Sequence, residues 1–238
     1  FLNFSGFIAR RNAGERRGYL LTGLLGGVIS STAVTLGFAR YSRKYQGAST
    51  ALAWGVIGAC TVLVPRVLLI SAVLNQAVAI QLLPLLIPAG VIGFGVVAFA
   101  WRSNTRLPEV PGEAPMAWLS GDEKSPLRLG VAIRLAVIFQ IAMIAITFAR
   151  RTWAVTGLYS SAVVLGLTDV DALTVSMSTP SSQMPTLVSA HAIAIGILAN
   201  TVVKLALSIA IGSPRYRLVA GGVLAAMAMA IGIVLILV

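Results

Sequence analysis

Apolar runs of membrane-crossing length recur along this chain, and they constrain its fold more than any motif does. Seven stretches read as helices: 18–39, 50–74, 77–101, 127–149, 153–178, 186–211 and 216–238. Most exceed the ~20 residues that a helix needs to cross a hydrocarbon core. In lipid every backbone amide must be satisfied within the protein, and a helix does this segment by segment. The expected fold is therefore all-α: a polytopic transmembrane bundle of about seven helices. Residues 1–9 (FLNFSGFIA) read as the tail of a further helix that begins before Phe1.

Composition agrees. Hydrophobic residues make up 58% of the chain and charged residues 11%, with mean hydropathy +0.92. A soluble domain carries about 25% charged residues. A soluble globular protein, a disordered chain and an ordinary nucleic-acid-binding domain are excluded. The net charge of +11 does not revive the last of these. Many basic residues stand at the ends of apolar runs: Arg10, Arg11, Arg16 and Arg17; Arg40, Arg43 and Lys44; Arg150 and Arg151; Arg215 and Arg217. Lys and Arg meet lipid headgroups there. With Arg102, Arg106, Lys124 and Arg128 added, their split between the two sides is eight against seven and fixes no orientation. The single cysteine, Cys60, allows no disulfide within one chain.

One substantial loop, 102–126, holds Pro108, Pro111, Pro115 and Pro126 with Glu109, Glu113, Asp122 and Glu123. It separates a first half, 1–101, from a second, 127–238. The links near Asn75 and over 179–185 are short and nearly uncharged, as in tight helical hairpins. A weak internal repeat joins the halves. A shift of 139 residues lays GVISSTAVT (27–35) on GLTDVDALT (166–174). Gly27 meets Gly166, Thr35 meets Thr174, and Ser30 and Thr32 meet Asp169 and Asp171. Arg66 falls one residue out of register with Lys204. Each half then reads as a polar, broken helix followed by a helix with an interior cation. With 127–149 crossing once, the count of helices implies two halves of the same orientation.

Asp169 and Asp171 are the acidic residues inside the apolar runs. A carboxylate there costs several kcal/mol unless it has a partner, a proton or water, so it marks function by default. Residues two apart point to nearly opposite faces of a helix. GLTDVDALT is better explained by an unwound segment, or by one aspartate at a helix cap. Asp171, Thr174 and Ser178 share one face if the helix continues, and offer hard oxygen ligands for a cation or a proton. A structural salt bridge to Arg66, Arg134 or Lys204 is the plainer alternative. Ser30, Ser31, Thr32 and Thr35 form the matching hydroxyl patch. Gly23 and Gly27 beside it form a GxxxG pair for close helix approach.

Arg66, Arg134 and Lys204 are the interior cations. Pro65 loosens the helix beside Arg66. Arg134 lies near a helix end and is expected to snorkel. Arg66 and Lys204 are expected to hold or gate the aspartates, with Asn200 on the face of Lys204. Gln140 and Asn200 can hydrogen-bond between helices. His191 is the one candidate proton carrier. It has no Cys or carboxylate at ligand spacing, so no zinc site is expected. No nucleophile elbow, P-loop, dinucleotide fingerprint or HExxH is present. Neither enzymatic activity nor a cofactor is expected.

GLLGGVISSTAVTLGFAR (23–40), GLYSSAVVLGLTDVDALTVSMS (157–178) and AHAIAIGILANTVVKLAL (190–207) resemble the C-terminal membrane domain, of unknown function, of MgtC/SapB-family proteins. The resemblance covers nearly the whole chain. It implies an integral protein of the bacterial inner membrane, and in longer members an N-terminal MgtC-like domain precedes this one. It also implies an association with magnesium homeostasis, through regulation more than transport.

The expected function is transport of a small ion, a cation or proton, at a midplane site. Asp169 and Asp171 would bind it. Ser30, Ser31, Thr32, Thr35, Thr174 and Ser178 would add oxygens, and Arg66 and Lys204 would tune the aspartates. The alternatives are a non-transporting regulator acting through small-residue faces such as Gly23/Gly27 and Ala226/Ala230, and anion movement along Arg66 and Lys204. The expected partners are the bilayer, the ion, and a second copy or an MgtC-like domain. No nucleic acid is expected.

Overall fold

A computed structural model describes residues 2–102, 154–179 and 184–238, with side chains from Tyr19 in the first segment and Leu158 in the second. The expected helix over 127–149, most of the loop 102–126, and with them Arg134 and Gln140, lie outside these residues.

The described residues form helices and no strands. They are α1 (Leu2–Lys44), a 3-10 turn (Gln46–Ala48), α2 (Ser49–Leu74), α3 (Gln76–Arg102), α4 (Ala154–Thr168), α5 (Val170–Ser178), α6 (Thr186–Ile211) and α7 (Pro214–Leu237). A π-turn at Arg217–Gly221 lies inside α7. Five stretches are long and apolar enough to cross a membrane: Tyr19–Lys44, Gln46–Leu74, Gln76–Arg102, Thr186–Ile211 and Pro214–Leu237. They make this an integral membrane protein. On α3, Ile80, Leu83, Ile87, Val91 and Phe94 recur every three or four residues and are all exposed. That stripe is the surface such a helix presents to lipid.

One boundary differs from the sequence expectation. Residues 1–9 and 18–39 do not belong to separate helices, because α1 carries helical backbone from Leu2 to Lys44. The run 153–178 divides where a break or an aspartate cap was expected, at Asp169, whose backbone is extended at φ −152° and ψ 101°.

α1 is continuous but not straight. The Tyr19 and Phe38 rings meet edge to face, with centroids 6.3 Å apart. Nineteen residues of straight helix would part them by about 28 Å. The packing against α2 shows how the distance closes. Gly23 lies on Gly55 and Gly27 on Ala59, so the first leg runs parallel to α2. Further along, Phe38 lies on Gly55, and the Ser49 hydroxyl donates to the Ser42 carbonyl at 3.4 Å, so the second leg runs back along it. The reversal falls near Ser30, whose Oγ accepts from the Ala33 amide at 3.3 Å as a helix cap does. A side chain on Gly23 or Gly27 would collide with the α2 backbone, which is why the pair is glycine.

α2 and α3 form an antiparallel hairpin about Asn75. Val64 packs beside Gly90, Thr61 beside Gly93 and Trp54 beside Phe99. The Asn75 Oδ1 caps α3, accepting from the amides of Ala77 (3.1 Å) and Val78 (3.4 Å).

α2 and α6 also run antiparallel. At one end the hydroxyls of Ser49 and Ser213 sit 2.7 Å apart, just before α2 advances and just after α6 ends. At the other end the Ser178 hydroxyl, upstream of α6, donates to Ser71 near the end of α2 at 3.4 Å. The apolar core divides accordingly. Leu63, Val64 and Val67 pack with Ala190, Ile193 and Ile197, whereas Leu52, Val56 and Cys60 pack with Tyr216, Ala220 and Leu224. The expectation of two halves in the same orientation is not met by α2 and α6, which point in opposite directions. The reversal inside α1 adds a change of direction that a single crossing over 18–39 would not make.

Candidate functional site

α1 and α5 both begin a helical leg beside α2 and α6, and the polar side chains gather at those beginnings. Asp169 caps α5: its Oδ1 accepts from the amides of Asp171 (2.9 Å) and Ala172 (3.1 Å). A carboxylate suits this place, because the unpaired amides of a helix start carry partial positive charge. Two residues on, Asp171 turns to α2. Arg66 donates from Nε to Asp171 Oδ1 at 3.0 Å and from Nη2 to Oδ2, a bidentate pair. Its side chains are 23% and 36% exposed, Arg66 first. Arg66 also reaches α1, where Nη1 donates to the carbonyls of Val28 (2.6 Å) and Gly27 (3.3 Å). These are the carbonyls just before the reversal, where a turning helix leaves acceptors short of amides.

Lys204 occupies the corresponding place on α6. It is 1% exposed, and its Nζ donates to Ser31 Oγ at 2.7 Å. The expectation that Lys204 holds an aspartate is corrected: its partner is a hydroxyl on α1, because Arg66 already occupies Asp171. Asn200, one turn earlier, donates to the Gly166 carbonyl at 2.8 Å. That carbonyl ends α4 as Gly27's ends the first leg of α1. Gly166 lies on the Gly196 backbone, and no side chain would fit between them.

The other expected ligands are engaged elsewhere. Thr174 donates to the Val170 carbonyl at 2.7 Å and Thr35 to the Ser31 carbonyl at 2.8 Å. Ser178 donates to Ser71. Thr32 is half-buried on the second leg of α1. His191 stands apart on α6, with Nδ1 2.8 Å from the Leu187 carbonyl. The oxygen stripe of Asp171, Thr174 and Ser178 is thus spent on α2 and on its own helix, and the described residues contain no metal-holding cluster of His, Cys, Asp or Glu.

Two participants were not visible in the sequence. Tyr216, fully buried in α7, donates to the Thr35 carbonyl at 3.4 Å. Cys60, buried in α2, shares an apolar cluster with Val34, Phe38 and Tyr216. A lone tyrosine and a lone cysteine in apolar helices carry no signal of their own. Only the turning of α1 brings them beside Ser31 and Thr35.

Comparison with known proteins places this arrangement in a family. A relative from Aquifex aeolicus (strain VF5), an uncharacterized protein, is 24% identical over 201 residues, 84% of each chain. No solved structure matches. The sequence pattern described as "Domain of unknown function (DUF4010)" matches residues 1–212, through the end of α6, and the chain belongs to that family.

Proposed function

We propose that this protein transports a small ion, and that its path runs between two structural halves of opposite orientation. The observation that carries this reading is a reciprocal crossing. The cation on the long helix of each half reaches the broken helix of the other: Arg66 on α2 to Asp171 on α5, and Lys204 on α6 to Ser31 on α1. Further correspondences support it. Ser30 and Asp169 cap helix starts, Gly27 and Gly166 press on the long helices, and their carbonyls accept from Arg66 and Asn200. Inverted halves with discontinuous helices are a recurring transporter plan, in which one half rocks against the other around a fixed site. Here the two crossings join the halves, so a change of access would remake them. An ion that displaces Arg66 from Asp171, or Lys204 from Ser31, would couple its own binding to that motion. The resemblance to MgtC/SapB-associated domains supports a bacterial inner-membrane location.

A second reading, a non-transporting regulator of the MgtC type, is favoured by one observation. Both aspartates are engaged, Asp169 as a cap and Asp171 by Arg66. Its docking surface cannot be Gly23/Gly27, which is covered by α2.

The test is flux into proteoliposomes containing the purified chain, with H⁺, Na⁺, K⁺, Mg²⁺ and Cl⁻ offered separately. Flux of one ion that Asp171→Asn or Lys204→Met changes supports transport at this site. No flux of any of them, from folded protein, removes the transport reading and leaves the regulator.

A further inference from the structure

We infer that Lys204 and Arg66 form the walls of a binding site for one small monovalent inorganic anion, seated at Ser31 between the helix starts at Ser30 and Asp169. The inference deepens the transport reading by naming the ion's class, but the binding it asserts does not require transport. The first observation is Lys204. Its ammonium has three hydrogens to donate. It is 1% exposed and makes one hydrogen bond, to a neutral hydroxyl. Burying an ammonium is costly unless an opposite charge meets it. No carboxylate among the described residues does so. Asp171 is held at both oxygens by Arg66, and Asp169 is exposed and bound to its own helix.

The second observation is independent of the first. Arg66, on the antiparallel helix, donates to the carbonyls of Gly27 and Val28, just before the Ser31 that accepts from Lys204, so both cations reach one short stretch of α1. Among the described residues the Arg66–Asp171 pair is neutral, which leaves the charge of Lys204 for one anion to meet. The helix starts act in the same sense. The second leg of α1 begins beside Lys204 and α5 begins beside Arg66, and each offers the positive end of its dipole. A cation site would need the opposite polarity. Ser31 supplies a hydroxyl that can turn from accepting Lys204 to donating to the anion.

The test measures thermal stability of the full chain in detergent at constant ionic strength, with gluconate replaced stepwise by chloride or bromide. Wild type should gain stability saturably with halide, and equally with Na⁺ or K⁺ as counterion. Lys204→Met keeps the length of the side chain and removes the charge. It should be at least as stable as wild type in gluconate, which shows that it folds, and bind halide about tenfold more weakly or worse. Lys204→Arg should retain halide stabilisation. Stability indifferent to halide in wild type, or an equal halide response in Lys204→Met, overturns the site. Halide binding without flux leaves the site standing and removes transport. Cation flux without halide binding does the reverse.

Discussion

Arg66 and Asp171 are 105 residues apart in the chain and are joined by two parallel hydrogen bonds, while the same guanidinium holds the carbonyls of Gly27 and Val28 on α1. One side chain thus ties three helical elements, from both ends of the sequence, at the point where two of them break. Removing one partner leaves the other uncompensated. Arg66→Ala and Asp171→Ala should each destabilise the protein by about 2 kcal/mol, below the ~3–5 of a fully buried pair because both groups retain some exposure. The double variant should recover part of the loss. Apparent melting temperatures in detergent check this, and strictly additive losses would show that the pair is uncoupled.

The direction of α2 against α6 can be read by cross-linking. In a Cys60→Ala background, Ser49→Cys with Ser213→Cys should form a disulfide under mild oxidation, and so should Ser71→Cys with Ser178→Cys. Ser49→Cys with Ser178→Cys should not, because those positions lie at opposite ends of α2. Linkage of that third pair in place of the first two would overturn the antiparallel arrangement.

The glycine contacts predict a steep contrast. Gly27→Val and Gly166→Val place a side chain into the facing backbone and should cost about 2–4 kcal/mol or prevent folding. Gly95→Ala and Gly232→Ala enter open space and should change stability by less than about 1 kcal/mol. Equal effects in the two groups would contradict the close crossings.

At the cap of α5, Asp169→Ser should be nearly neutral because a hydroxyl can accept from the same amides, whereas Asp169→Ala should cost about 1 kcal/mol. The comparison separates capping from ion binding. If Asp169 binds a transported cation directly, Asp169→Ser should abolish flux while leaving stability unchanged.

Much of the helical layout was legible because lipid imposes its rule on every residue of a span. The runs at 50–74, 77–101, 186–211 and 216–238 became α2, α3, α6 and α7 with small shifts at their ends. The 139-residue shift laid Ser30 on Asp169, and both are caps. The polar break over 27–35 was expected, but the reversal of α1 there was hidden for a physical reason. A serine beside glycines is tolerated within a membrane helix, and nothing in GGVISSTAV demands a turn rather than a bond back to its own backbone. Counting that segment as one crossing then missed the antiparallel course of α2 and α6. The partners of the cations were hidden too, because hydroxyls and aspartates in apolar runs are equivalent until the helices are placed. Arg66 took the carboxylate expected for Lys204 as well, and Lys204 was left to Ser31.

The span of chain between Arg66 and its carboxylate has a consequence for biogenesis. At about 5–20 residues per second, the ribosome finishes Asp171 roughly 5–20 seconds after Arg66. Throughout that interval α2 is already an apolar segment ready to enter lipid, with an arginine in its interior and no acid to meet it. Ser31 waits longer still for Lys204, 173 residues downstream. The first three helices therefore complete these polar contacts only after the later helices are made, and a chain halted before Asp171 should be a substrate for membrane quality control.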